Sequence, residues 1–464
     1  MKKLLIYLNC FLIAFSPLTV TAFAGKKSGT SYNIDAPEYE SDIALLVNAD
    51  TDTVIYEKNA EKITAPASLT KIVTALVTLS KCNDLSKKIK CAPEAVDSIL
   101  GTGSSIAGLY GGEVTTLEML LYCLFLPSAN DAAAVLAYHF SDGNSESFVN
   151  EMNEFVKTLG CKNTFFVNPH GLDNEEIKGF DGETQNQTTA YDMYLIAKEA
   201  LKNETIVKIS SKYGKTMPAT NKSDERYLYN TNPLLNNYSY YYYEDAVGLK
   251  TGTTDKAGAC LISSAVKNGY TYIAISMHGT LDYVLDGEKR NSAFLTCRYM
   301  LRWAFENMQM KVLADDSRNM GEVKVKYGRG CDYAALVPSE SISAVVKKDI
   351  GIDDMRVVYS DDFPEEVKAP VKKGQEIGKA KLMYKKIKSA DITLVAQQDV
   401  KKNYLWAIFS FFEKIVTSKV FLCFIIFVAV ILFIFYNGTK KKRKAKKRRK
   451  NSVEVVKDFS TLGK

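Results

Sequence analysis

The sequence predicts an α+β protein in two folded parts, with one transmembrane helix near its C-terminus. Three observations carry this. Between about residues 38 and 308, strand pairs joined by tight turns flank a block of amphipathic helices, the pattern of an antiparallel sheet with helices packed on it rather than of alternating βαβ units. Past residue 308 the composition changes to short β-branched runs at close intervals, as in a small β-sandwich. Finally, Val420–Tyr436 is 17 residues without a charge, and at 1.5 Å rise per residue it reaches about 26 Å, near the lower limit for a hydrocarbon core.

The elements follow in order. Lys2 and Lys3 precede the apolar stretch Leu4–Phe15, and Ala22-Phe23-Ala24 comes just before Gly25, so residues 1–24 read as a removable signal peptide. Ile43–Val47 and Thr53–Tyr56, separated by Asn48-Ala49-Asp50-Thr51-Asp52, form a hairpin. Helices are expected over Ser68–Leu79, over Thr116–Phe125 with Thr115 or Thr116 as cap, and over Asp131–Phe140, Glu146–Leu159 and Thr189–Leu201. Ala259–Val266 and Thr271–Met277 meet at Asn268-Gly269, a strong hairpin signal because both turn positions favour positive φ. A helix bearing Trp303 and Phe305 closes this first domain, residues 25–308.

Residues 309–402 are expected to be a β-sandwich-like domain, with strands at Val323–Val325, Ala334–Val337, Ile342–Val346 and Met355–Tyr359. Residues 403–419, with Tyr404-Leu405-Trp406 and Phe409, Phe411 and Phe412, suit an amphipathic segment in the headgroup plane. The span 420–436 is apolar on every face, unlike most core helices. Ten Lys and Arg lie between Lys440 and Lys450, marking residues 437–464 as a basic cytoplasmic tail. The chain is thus expected to cross the cell membrane once, with both folded domains outside.

At 464 residues, 46% hydrophobic and 24% charged, the chain is neither collagen-like nor wholly disordered. The formal charge of +7 comes from the tail: residues 25–419 hold 46 Lys and Arg against 51 Asp and Glu, or −5. A nucleic-acid groove needs its positive charge on the folded part, so nucleic acid is not an expected partner. With His139, His170 and His278 the only histidines, and no cysteine pair at zinc-ligand spacing beside one, no metal site is expected. Cys82 and Cys91 could bridge, whereas Cys123, Cys161 and Cys260 sit in apolar sequence and read as buried thiols.

The chemistry is carried by three short strings. Ser68-Leu69-Thr70-Lys71 sets a hydroxyl and an amine three residues apart on one helix face. Serine is a poor nucleophile without a base, and a lysine can be that base if burial and nearby cations depress its pKa from about 10.4. A solvated pair on an exposed helix is the ordinary explanation of such spacing, as a solvated strand-end lysine is for Lys250 alone. The order changes that reading, since Ser128-Ala129-Asn130 and Lys250-Thr251-Gly252 follow. Serine-x-x-lysine, serine-x-asparagine and lysine-threonine-glycine in succession are a known signature of β-lactamases and penicillin-binding proteins.

At these residues the chain resembles the serine-type D-alanyl-D-alanine carboxypeptidases, the low-molecular-weight penicillin-binding proteins of the peptidase S11-like family. The likeness extends over Pro66–Lys71, Ser128–Ala132, Asn168-Pro169-His170-Gly171-Leu172, Gly248–Thr254 and Ala257-Gly258. Val367–Val371 and Lys373–Gly378 are similar to that family's second domain. The resemblance implies a β-lactamase/transpeptidase-like catalytic domain followed by the small all-β domain. It implies Ser68 as acyl-forming nucleophile, Lys71 as its base and Ser128 as proton relay to the departing D-alanine. Asn130 would hold both the substrate amide and Lys71. Lys250 and Thr251 would bind the terminal carboxylate, and Gly252 would leave the strand edge open to a peptide. Backbone N–H groups of Ser68 and Thr253 would meet the oxyanion. No metal or organic cofactor is implied. The partners implied are the peptidoglycan stem peptide ending in D-alanyl-D-alanine and, as covalent inhibitors, the β-lactams.

Several points stay open in the sequence. His170 is either a base or a brace of its loop, either Arg290 or Arg298 could assist at the carboxylate, and Tyr238–Tyr243 is a substrate-contacting loop or a surface insertion. A β-lactamase is the nearest alternative, but the closest string to its Glu-x-x-Leu-Asn element, Glu225–Tyr229, lacks the Asn and lies close to Lys250. A catalytically inactive wall-binding protein is the other, against which every catalytic position is filled. The full span and basic tail depart from the surface-lying amphipathic anchor common in the family.

Overall fold

The computed structural model describes residues 39–173, 185–384 and 387–459; the expected signal peptide lies outside these residues. The chain divides into two compact units. The first runs to Leu313 and takes in Ser343–Arg356 and Leu382–Ala390; the second holds Ala314–Ile342, Val357–Lys381 and the chain from Asp391 onward.

A five-stranded antiparallel sheet organises the first unit: β1 (Ile43–Asn48), β2 (Thr53–Lys58), β3 (Ala246–Thr254), β4 (Gly258–Lys267) and β5 (Tyr270–Gly279), in the order β2-β1-β5-β4-β3. The β4–β5 turn is made by Asn268 and Gly269 at φ 53° and 80°, as their sequence predicts. Every residue of β1 is buried, because the sheet is covered on both faces. Strand alternation sorts the side chains: Ile43, Leu45, Val47, Ile273 and Ile275 enter one apolar layer, whereas Ala44, Leu46, Tyr272 and Ala274 enter the other.

The first layer is closed by α1 (Lys71–Lys81), α2 (Leu117–Phe125), α3 (Asn130–His139), α4 (Ser145–Thr158) and α5 (Ala190–Leu201). The second is closed by α6 (Ser292–Asn307), which supplies Cys297, Met300, Leu301 and Ala304. Caps fix the starts: Thr116 accepts from the Met119 N–H, Thr189 from Asp192, and Asn291 from Ala293 and Phe294. One expectation shifts. Helix α1 begins at Lys71, not Ser68, because Ala67–Thr70 is a 3₁₀ turn entered from Ala67 at φ 48°.

The β-rich part forms one six-stranded sheet. Its order is Met355–Tyr359, Glu376–Tyr384, Ile387–Ala396, Tyr333–Pro338, Gly321–Lys326 and Glu366–Lys368, the last two strands running parallel. Ile342–Lys347 lies outside it and pairs with Met308–Ala314. Beyond come α7 (Tyr404–Val416), capped by Asn403, and α8 (Lys419–Phe459). Lys419–Arg448 of α8 is long and apolar enough to cross a membrane, and its apolar part is unburied by protein.

All described cysteines are free thiols, so Cys82 and Cys91 do not bridge. Burial pushes the Cys91 and Cys260 thiols up to about 12, which leaves them protonated and inert.

Candidate active site

Ser68 sits in the 3₁₀ turn and Lys71 opens α1. In a 3₁₀ turn residues i and i+3 eclipse, which stacks the two side chains more directly than an α-helix would. Lys71 is fully buried, and its Nζ stands 2.7 Å from Ser68 Oγ, 2.5 Å from Asn130 Oδ1 and 2.9 Å from the His170 carbonyl oxygen. Burial holds the Lys71 pKa well below its ordinary value, the charge of Lys250 lowers it further, and Asp131 opposes both. A neutral amine has two N–H bonds and one lone pair. The Asn130 and His170 oxygens can only accept, so in the neutral form they would take the two N–H groups and leave the lone pair for the Ser68 hydroxyl, whereas a charged amine donates to all three oxygens.

Asn130 begins α3, and its backbone N–H donates to Ser105 O at 2.8 Å. Beside it the buried Asp131 carboxylate accepts from the backbone N–H of Ala107 and Leu109, both at 3.0 Å, and so holds the 105–109 loop against the start of α3. Burial raises the Asp131 pKa, against the lowering effect of those same N–H groups. Ser128 lies two residues earlier in a left-handed conformation, φ 61°. The Ala129 N–H donates to Cys123 O, so the Ser128 bend is tied to the end of α2.

Strand β3 carries the third string and is the edge of the sheet. Lys250 is buried with its Nζ donating to the Thr251 carbonyl at 3.0 Å, and burial lowers its pKa to about 7. Thr251 Oγ1 lies 2.5 Å from Thr231 Oγ1. A Cβ on Gly252 would stand 3.1 Å from Ala67 Cβ, Pro66 O and Ser68 N, so this glycine lets the serine turn pack directly on the strand. Thr253 is exposed, its hydroxyl turned back to the Gly252 carbonyl at 2.8 Å.

His170 is part of the scaffold. Its Nδ1 accepts from the Leu172 N–H at 3.2 Å and burial lowers its pKa to about 3, so the ring is neutral; what reaches Lys71 is its carbonyl. Gly171, at φ 88°, leaves no room for a side chain, since a Cβ there would lie 1.8 Å from Ala67 O. Arg290 and Arg298 are engaged elsewhere, their guanidiniums 4.0 and 5.6 Å from the ring centre of Tyr240, with Arg298 donating to its carbonyl. The tyrosine run is partly packed: Tyr241 OH accepts from the Asn291 N–H and its ring meets Phe294, while Tyr238 is 90% exposed.

The three sequence strings therefore converge. The structure adds the His170 carbonyl, Gly171, Asp131 and Thr231. Of these, Gly171 and Asp131 lie inside or next to strings the sequence singled out, whereas a backbone carbonyl 99 residues from Lys71 has no residue-type signal.

Comparison with known proteins gives the family of the chain. Residues 30–280 match the peptidase S11 family, D-alanyl-D-alanine carboxypeptidase, and residues 308–402 match the penicillin-binding protein 5 C-terminal domain. The D-alanyl-D-alanine carboxypeptidase DacF of Bacillus subtilis is 32% identical over 404 residues, 87% of this chain and 95% of that protein. A D-alanyl-D-alanine carboxypeptidase of Streptomyces sp. is 33% identical over 244 residues, covering 50% of this chain and 79% of the relative. The fold matches the DacD carboxypeptidase of Francisella tularensis, with a TM-score of 0.61 at 23% identity over 79% of this chain and 95% of that one. The hydrolase assignment rests on this family match and on these relatives, and the chain belongs to the peptidase S11 family of D-alanyl-D-alanine carboxypeptidases.

Proposed function

We propose that this chain removes the terminal D-alanine from peptidoglycan stem peptides through an acyl-serine intermediate, and that β-lactams trap the same serine. The observation that carries this reading is the placement of the buried Lys71 Nζ 2.7 Å from Ser68 Oγ, with the Asn130 and His170 oxygens as its other partners, so that a neutral amine would turn its lone pair to the serine.

The stem peptide lies along the open edge of β3, its terminal carboxylate at Lys250 and Thr251. Ser68 Oγ attacks the penultimate carbonyl as its proton passes to Lys71 Nζ. The oxyanion is met by the backbone N–H groups of Ser68 and Thr253, each worth about 3 kcal/mol when preorganised. The tetrahedral adduct collapses with breakage of the amide bond, and Ser128 relays the proton to the departing D-alanine nitrogen. Water then attacks the ester, with Lys71 again as base, and frees the shortened peptide.

The membrane reading belongs here too: α8 crosses the bilayer once, with the folded domains outside and the basic run inside. The domain limit at residue 308 is part of this proposal: α6 ends at Asn307, although the first compact unit runs on to Leu313 and takes in Ser343–Arg356 and Leu382–Ala390.

The test is covalent labelling with a fluorescent penicillin, mass spectrometry of the labelled peptide, and D-alanine release from a D-alanyl-D-alanine pentapeptide. Label on Ser68 with stoichiometric D-alanine release is expected. Penicillin hydrolysis at tens per second with little D-alanine released would favour a β-lactamase.

A further inference from the structure

Lys71 has partners in its own turn, at the start of α3 and in the 168–172 loop, and one side chain joins the first of these to the last. Asn186 is buried, and its Oδ1 accepts from the backbone N–H of Val167 at 2.7 Å and of Asn168 at 3.1 Å. Its Nδ2 donates to Asn168 O at 3.1 Å, to Asn168 Oδ1 at 3.2 Å and to Thr70 Oγ1 at 3.1 Å. Thr70 in turn donates to Ala67 O at 2.8 Å, closing the turn that holds Ser68. Asn168 Oδ1 accepts from the Gly171 N–H at 2.7 Å, and its Nδ2 donates to Leu172 O at 3.0 Å, closing the turn that holds the His170 carbonyl.

We propose that Asn186 is a positioning residue for acylation, setting the Ser68 turn and the His170 carbonyl in mutual register so that the Lys71 lone pair is aimed at Ser68 Oγ. The inference rests on the acyl-serine reading above. Its physical basis is one shared donor: the amide is anchored to the 167–168 backbone through Oδ1 and to Asn168 through Nδ2, and the same Nδ2 is what reaches the serine turn, at Thr70 Oγ1. Displacing either turn breaks that buried contact and misaims Lys71. The hydroxyl of Thr70 is the hinge of this contact, since it donates to the serine turn while accepting from Asn186. Lys250, Thr251 and Thr231, which would meet the carboxylate, lie outside the network, so ligand capture and acylation separate.

The experiment is single-turnover acylation of the full chain in detergent by a fluorescent penicillin, with the maximal rate and half-saturating concentration measured separately. The variants are Asn186→Ala, Thr70→Val and the pair together. A misplacement of about 1 Å costs on the order of 100-fold in rate. Each single variant is expected to lose on that order in maximal rate, with half-saturation changed less than about threefold. The double variant is expected to be no slower than the slower single one, because the contact common to both is the one that joins the two turns. Wild-type rates in Asn186→Ala, a loss confined to half-saturation, or rate losses that multiply in the double variant would overturn the proposal. Thr70→Val keeps shape and volume, so it reads the contact even if Asn186→Ala fails to fold. Absence of label on wild-type Ser68 would instead sink the acyl-serine reading itself.

Discussion

Replacing Gly171 by alanine tests whether the loop carrying the His170 carbonyl clamps the nucleophile turn. Two costs arise and can be separated. The residue sits at φ 88°, where an L side chain costs about 1–2 kcal/mol. The new Cβ would also lie 1.8 Å from Ala67 O, and 3.0 Å is the closest such atoms come, so the loop and the turn must part by about 1.2 Å. Overpacking of that kind adds roughly 1–3 kcal/mol. A shift of this size one residue before Ser68 should slow acylation about 100-fold. Gly160→Ala is the control, because Gly160 has φ 87° and nothing within 4 Å of its Cβ position. Single-turnover acylation by a fluorescent penicillin, with thermal unfolding of the same samples, reads both costs. Gly171→Ala is expected to lose rate and melt lower, and Gly160→Ala only to melt slightly lower. Equal acylation rates in the two variants would refute the clamp.

Ser68→Ala should abolish both penicillin labelling and D-alanine release with an unchanged melting curve; label retained elsewhere would move the nucleophile. Lys71→Ala should acylate at least about 100-fold more slowly while still binding substrate through Lys250 and Thr251, and near wild-type acylation would remove Lys71 as base. Burial sets Lys250 at about 7 in the free protein, so as pH rises above 7 it loses the charge that meets the carboxylate. KM for a D-alanyl-D-alanine peptide should then climb, approaching about tenfold per pH unit, and Lys250→Arg should flatten the climb because the guanidinium stays charged. A wild-type KM constant from pH 7 to 9 would contradict this. A chain ending at Asn403 should be soluble and active; its recovery in the membrane fraction would place an anchor outside α7 and α8.

What the sequence made legible was whatever is local. Thr116 and Thr189 announce helix starts by their hydroxyls, and Asn268-Gly269 announces a hairpin by its φ preference. The Ser68–Lys71 spacing was legible as a pairing but not as a 3₁₀ turn, because the turn is imposed from outside, by Gly171 and Gly252 packing against Ala67 and Pro66. Ile342–Lys347 reads as one more strand of the β-domain, yet it pairs with Met308–Ala314; β-branched composition gives strand but not partner. The tyrosine run and the two arginines were ambiguous for the same reason. That Tyr240 lies under Arg290 is a fact about residues 50 apart.

The charge of one buried lysine bears on the other. With Lys250 near 7, the free protein holds it on the edge of protonation, and its charge is one of the effects that lower the Lys71 pKa. An arriving carboxylate favours the charged form of Lys250, since an opposite charge at close range raises a lysine pKa. Protonated Lys250 then presses harder on Lys71, although Asp131, hydrogen-bonded to the 105–109 loop, opposes that effect. The carboxylate's own negative charge acts on Lys71 in the opposite sense, so the Lys250–carboxylate pair leaves the charge near the base nearly unchanged, and on the proposed mechanism burial, the largest cause of the lowered Lys71 pKa, keeps the base available. A ligand without a carboxylate should therefore show its deficit in half-saturation, and an equal loss in the maximal acylation rate would refute this separation.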